Sequence, residues 1–119
     1  MIKNEVFRYS NCPIHRSMAI LGTKWKPVII YALRERTVRF GQLHAIVGSI
    51  SKKVLSSTLK ELEADGILFR EEFKELPPRV EYSLTEKGRT LIPIIIDLAE
   101  WDNAHYLKTY PSSEHDEAV

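Results

Sequence analysis

Lys53, Ser56, Ser57 and Lys60 fall at i, i+3, i+4 and i+7, the spacing of one face of a helix. Two ammonium groups and two hydroxyls arranged this way can donate to phosphate oxygens and base edges, where acids would be repelled and bulky apolar groups misplaced. The chemistry on offer is recognition. No nucleophile stands at a recognisable spacing from a base, and no glycine loop is built to hold phosphate. His15, His44, His105 and His115 show no ligand-like spacing. The sequence therefore predicts no enzyme, no metal site and no cofactor.

The helix that must carry this face runs from Ser51, a good N-cap, to Gly66, a good residue just past a C-terminus, with no Pro or Gly between them. Leu55, Leu59 and Leu62 form its buried side. Before it, Gly41–Val47 reads as a short helix with Leu43, Ile46 and Val47 inward, joined through a turn at Gly48-Ser49-Ile50. Helix, tight turn and longer amphipathic helix with a cationic outer face is a helix-turn-helix arrangement with the second helix as the reader. After Gly66 come the runs 67–73 and 79–84, the second strictly alternating, joined through Lys74-Glu75-Leu76-Pro77-Pro78. They predict a hairpin whose stiff tip projects as a wing bearing Lys74 and Arg79.

Around this unit, the 119 residues suffice for one domain. Residues 1–11 read as an N-terminal arm, 12–107 as the folded domain and 108–119 as an acidic, disordered tail. Pro13 opens a helix that shows Ile14, Met18 and Leu21 on one face and stops at Gly22. A dense apolar core helix follows from Lys24 or Trp25 to Leu33, with Pro27 tolerated in its first turn. Thr37–Phe40 is β-prone. Thr85 caps a final helix that is apolar on nearly every side from Leu91 to Trp101 and is expected to bend at Pro93. A terminal helix of that kind needs a second partner, most simply its own copy. The fold class is mostly α with a small antiparallel β-hairpin, a winged helix-turn-helix dimerising through terminal helices.

The net charge of +1 hides a strong polarity. From Arg34 to Lys60, six basic residues face Glu35 alone, whereas from Asp97 to Val119 six acids face Lys108 alone. One side suits a polyanion and the other is kept off it. The longest apolar run, Leu91–Ile96, falls far short of the ~20 residues that span a bilayer, and no signal pattern opens the chain. The expected location is cytoplasmic, without a membrane partner. A single cysteine, Cys12, excludes an intrachain disulfide framework.

Several dispersed patterns stand in order: Cys12-Pro13, Gly22-Thr23-Lys24-Trp25, Arg39-Phe40-Gly41-Gln42-Leu43, Leu59–Gly66, Pro77–Thr85 and the late Trp101. Over about residues 12 to 101 the chain resembles the HxlR family of bacterial and archaeal transcription regulators, relatives of the MarR group. The resemblance implies a homodimer that binds pseudo-palindromic promoter DNA and regulates genes. Residue by residue it points to DNA contacts at Ser51, Lys52, Lys53, Ser56, Ser57 and Lys60 on the helix, and at Arg79 and Lys74 on the wing. Arg39 has two readings, a backbone contact or a partner for a nearby acid. The dimer interface is expected at Ile14, Leu91, Ile92, Ile95, Leu98, Ala99 and Trp101. Some related regulators respond to oxidants through a cysteine in the Cys-Pro context that Cys12-Pro13 matches. A helix N-terminus favours the thiolate, so Cys12 is a redox-sensing candidate, the other reading being a packed, inert thiol. Two alternatives remain open: a small apolar ligand between dimer helices near Trp25, Tyr31 and Trp101, and a winged helix that serves as a protein adaptor. Repressor and activator read alike.

Overall fold

The computed structural model describes residues 11–109, and side chains as far as residue 106. The arm at 1–10 and the tail from 110 lie outside the described residues. Six helices and three strands follow in order: α1 (Pro13–Leu21), α2 (Lys26–Leu33), β1 (Val38–Arg39), α3 (Phe40–Val47), α4 (Lys52–Ala64), β2 (Leu68–Phe73), β3 (Arg79–Leu84), α5 (Glu86–Arg89) and α6 (Ile92–Thr109).

α2 is the centre. Ile29, Ile30 and Leu33 are fully buried, and around them close Leu43 of α3, Leu55, Leu59 and Leu62 of α4, and Leu68 and Leu84 of the sheet. The expected buried stripe of α4 is thus the one that packs. Burying a leucine side chain contributes roughly 1.5–3 kcal/mol, and this leucine layer fixes the helix against the core.

Both ends of α4 are set as the sequence reads. The Ser51 hydroxyl accepts the Val54 N–H at 3.1 Å. At the other end Gly66 adopts φ +76°, and its N–H bonds the Glu63 carbonyl while the Ile67 N–H bonds that of Leu62. This paired closure satisfies two orphan carbonyls and needs a residue free of Cβ strain at the left-handed position. It also delivers the chain directly into β2.

The hairpin is part of a three-stranded antiparallel sheet in the order β1-β3-β2. Thr37–Phe40 contributes its central pair as an edge strand, Val38 opposite Tyr82 and Arg39 opposite Glu81. On the hairpin, Leu68 faces Leu84, Arg70 faces Tyr82 and Phe73 faces Arg79.

Other details depart from expectation. α2 starts at Lys26, with Trp25 as its N-cap and Pro27 in its first turn. Ile46 is exposed, because α3 meets the core through Leu43 and the half-buried Phe40 and Val47. The terminal helix does not bend at Pro93. The chain leaves helix geometry at Thr90 and Leu91 and starts again at Ile92, so the proline, lacking an N–H, sits in a first turn where none is needed. Ahead of that break, Thr85 does cap α5, its hydroxyl accepting the Gly88 N–H at 3.0 Å. Gly88 lies so close to the Ile67 carbonyl that any Cβ there would collide with it. α6 continues to Thr109, two residues past the expected end of the domain.

Candidate nucleic-acid interface

Recognition of a duplex needs an element that fits the groove, donors on its outer face, and a turn that holds it at a fixed angle. The turn between α3 and α4 is fastened by His44, whose Nε2 lies 2.8 Å from the Ile50 carbonyl, and by the Gly48 N–H on the His44 carbonyl. The far end of α4 is fastened by Lys26. Its side chain is 10% exposed, and its Nζ lies 3.2 Å from Glu61 and 3.4 Å from Asp65. Lys87 adds a hydrogen bond from its Nζ to the Asp65 carbonyl, 3.0 Å. The first residue of α2 and a residue of α5 therefore hold the last turns of the reader helix. Neither His44 nor Lys26 stands out in the sequence as a fastening residue. A lysine next to Pro27 at the head of an otherwise apolar helix is the available signal.

On the outer face, Lys52, Lys53, Ser57 and Lys60 are exposed and Ser56 is half-buried. Lys52, Lys53 and Lys60 take part in no ion pair among the described residues, nor does Lys74 on the wing loop. Their charge is available to a polyanion. Ser57 donates to the Val54 carbonyl at 3.0 Å, and its oxygen remains on the surface as an acceptor. Ser56 opens into a cleft shared with Leu59, Lys60, Glu63, Arg70 and Tyr82.

Arg79 stands differently. Its guanidinium lies 3.2 Å from both Glu75 and Glu81 and stacks over the Phe73 ring at 4.0 Å. It is on the wing, as expected, but held by two carboxylates. Arg39 is exposed at the head of α3, with no ion pair among the described residues. Its backbone N–H donates to the Gln42 side chain at 3.0 Å, so the reading in which it pairs with a nearby acid is not the arrangement found.

The expected interface residues divide in two. Leu91, Ile92 and Ile95 pack partly on the chain's own core, whereas Ile14, Leu98, Ala99 and Trp101 are exposed. Along α6 the outward apolar stripe is Ile94, Leu98 and Trp101, spaced i, i+4 and i+7. Leu98 is 52% and Trp101 63% exposed, and Ile14 on α1 reaches 68%. Between α2 and α6 lies a groove of about 430 Å³ lined by Pro27, Val28, Tyr31, Ile95, Ile96, Ala99 and Glu100. Of the three aromatic residues expected around an apolar ligand, only Tyr31 lines it.

Cys12 is the half-exposed N-cap of α1. Hydrogen bonds from the backbone N–H groups of His15 and Ile14 hold its thiol below the ordinary cysteine value against desolvation, and the Arg16 charge adds to the lowering. Among the described residues, no group of His, Cys, Asp and Glu could hold a metal ion, and no helix is long and apolar enough to cross a membrane.

Two helices fastened across a tight turn, a free cationic outer face and a three-stranded wing define a winged helix-turn-helix protein. Residues 20–110 match the HxlR-like helix-turn-helix family, and the chain belongs to that family. It is 48% identical over 100 residues to an HTH-type transcriptional regulator of Halalkalibacterium halodurans, an alignment covering 83% of this chain and 88% of the relative. Among solved structures it is similar to a MarR-family transcriptional regulator of Porphyromonas gingivalis. That likeness has a TM-score of 0.76 and 36% identity, over 85% of this chain and 95% of the other. It is also similar to the redox regulator HypR in its oxidized form, with a TM-score of 0.73 and 43% identity over 78% and 96% of the two chains. The protein is a transcriptional regulator of HxlR type.

Proposed function

We propose that the protein acts in the cytoplasm as a homodimer that binds double-stranded promoter DNA at pseudo-palindromic sites, and that it has no enzymatic activity. The observation that carries this reading is the unpaired cationic face of α4 beside a wing. In a dimer joined through α6, two such helices enter successive major grooves about 34 Å apart. Lys52, Lys53 and Lys60 meet phosphates, while Ser51, Ser56 and Ser57 reach toward base edges. Lys74 and Arg39 add backbone contacts, and Arg79 joins them only by giving up Glu75 or Glu81. Ile14, Leu98, Ala99 and Trp101, with Ile94, form the apolar surface that the second copy covers, and Leu91, Ile92 and Ile95 brace that surface from below. The test is selection of bound fragments from sheared genomic DNA, with Lys53→Ala as control. A pseudo-palindrome enriched by the wild type and absent with the variant supports the reading. No enrichment beyond the control removes it in favour of a protein adaptor.

The signal is an oxidant or electrophile acting on Cys12. A thiol whose charged form is favoured at a helix start, half-exposed, in a chain similar to a redox regulator, supports this. No second cysteine exists in the chain, so the disulfide forms between subunits or with a small thiol. Because the thiol titrates below its ordinary value, its alkylation by iodoacetamide persists to lower pH than that of an unperturbed cysteine. Diamide is expected to change DNA binding of the wild type and not of Cys12→Ser; equal binding by oxidised and reduced wild type ends the proposal. The groove between α2 and α6 supports a second reading, a small apolar effector, which titration with apolar ligands under reducing conditions separates from the first.

A further inference from the structure

Register places the two arginines of the wing on opposite faces of the hairpin. Along β2, Leu68, Arg70 and Glu72 share one face and stand opposite Leu84, Tyr82 and Val80. Phe69, Glu71 and Phe73 share the other, opposite Ser83, Glu81 and Arg79. Leu68 and Leu84 are buried with the leucines of α4, so the first face is the one turned toward the reader helix. Where the hairpin leaves the core, that face carries the Arg70 and Tyr82 pair. It lies beside Ser56, Lys60 and Glu63 in a cleft of about 290 Å³.

The two guanidinium groups are in opposite states. Arg79 is held by two carboxylates at 3.2 Å and covered by Phe73. Among the described residues, Arg70 makes one ion pair, with the exposed Glu72 at 3.7 Å, a pair worth little in water. The Tyr82 side chain, with the Glu72 and Glu63 charges adding to it against desolvation, holds the Arg70 guanidinium above its ordinary value. Among the residues lining the cleft, Lys60 and Arg70 outnumber the single carboxylate of Glu63, and Glu72 pairs with Arg70 only loosely from its edge. Set against the ~30 Å³ share of one water, the space admits a phosphodiester group with part of its hydration.

We propose that the cleft between α4 and the wing seats a backbone phosphate of the bound duplex, with Arg70 and Lys60 as its cations and the Ser56 hydroxyl as a further donor. This rests on the DNA-binding reading above and adds Arg70, which the alternation of the hairpin alone does not single out. A phosphate held there fixes how far α4 rolls in the groove, because it ties helix and wing to one point of the backbone. Glu63 opposes the site and limits its strength.

The test is fluorescence anisotropy with a labelled duplex of mixed sequence, titrated with salt, on wild type, Arg70→Gln, Arg70→Lys, Glu63→Gln and Lys53→Ala. Removing the cation from one phosphate lowers the slope of log affinity against log salt by about 0.9, so Arg70→Gln is expected to lower it by about 1.8 in a dimer. Arg70→Lys retains the wild-type slope, and Glu63→Gln tightens binding at fixed salt. Glu63→Gln keeps the question decidable if Arg70→Gln folds poorly. An unchanged slope in Arg70→Gln, or unchanged affinity in Glu63→Gln, overturns the proposal. If Lys53→Ala lowers the slope in the same experiment, the DNA-binding reading survives that failure. Absence of wild-type binding at low salt removes both.

Discussion

α4 and α6 each present an outward face, and the two are made in opposite ways. On α4 the leucines form one buried stripe, and what points outward is mainly lysine, serine and glutamate already at ease in water, with Val54 an isolated apolar exception. On α6 the inner stripe of Ile92 and Ile95 packs on the core, while Ile94, Leu98 and Trp101 remain in solvent. The first face is complete without a partner and gains one through charge. The second is incomplete, since contiguous exposed apolar surface on a small protein marks a contact site. Under the proposed function, similar helices commit to different partners through the side chains of a single face.

This contrast can be broken from its inner side first. Leu62→Ala removes a fully buried side chain beneath α4, and a loss of about 2–5 kcal/mol is expected in urea unfolding. The outer face of α6 answers differently. Leu98→Asp should leave the fold intact but weaken dimerisation by about 2 kcal/mol or more, roughly thirtyfold, read by analytical ultracentrifugation. If Leu98→Asp is as dimeric as the wild type, α6 is not the interface. Smaller still, Ser51→Ala removes the cap of α4 and should cost about 1 kcal/mol of stability. Lys53→Ala is expected to stay within about 0.5 kcal/mol in stability while weakening DNA binding, since its side chain is exposed and makes no ion pair among the described residues. A stability loss in Lys53→Ala comparable to that of Leu62→Ala would erase the distinction between the faces.

Sequence and structure agree most closely where a local rule decides the outcome. Ser51 and Gly66 bound α4, the leucines give its inner stripe, Thr85 caps α5, and Arg79–Leu84 alternates into a strand. Each of these depends on near neighbours in the chain. What the sequence does not yield depends on distant ones. Thr37–Phe40 reads as β-prone, but that its central pair joins the hairpin as a third strand depends on β3 passing alongside, which two residues carry no period to show. Ile46 points inward on helical spacing, but the core meets α3 along a narrower strip. Pro93 reads as a bend only if the helix is continuous from Thr85; the break at Thr90 and Leu91 makes the proline a first-turn residue. Among the candidate contacts, the lysines of α4 are legible as charges on a face. The pairing of Arg79 with Glu75 and Glu81 is not, since a hairpin register decides which acids come near. Lys26 reaches Glu61 and Asp65 across 35 and 39 positions of sequence, beyond any local pattern.

The interruption between α5 and α6 has a mechanical meaning. Across it the Thr90 and Leu91 N–H groups bond the carbonyls of Lys87 and Gly88, three residues back, so the ladder of four-residue bonds is not continuous. The winged unit on one side is stiffened by the Gly66 closure, the Thr85 cap and the close approach of Gly88 to Ile67. α6 on the other side is a long arm that meets this unit chiefly through α2. In the proposed dimer, such a short joint between the winged unit and a long arm would be the place for a pivot. In the proposed dimer, a rotation of a few degrees there, multiplied by the distance to the reader helix, would change the separation of two such helices by ångströms, the scale on which successive grooves of a duplex are matched or missed.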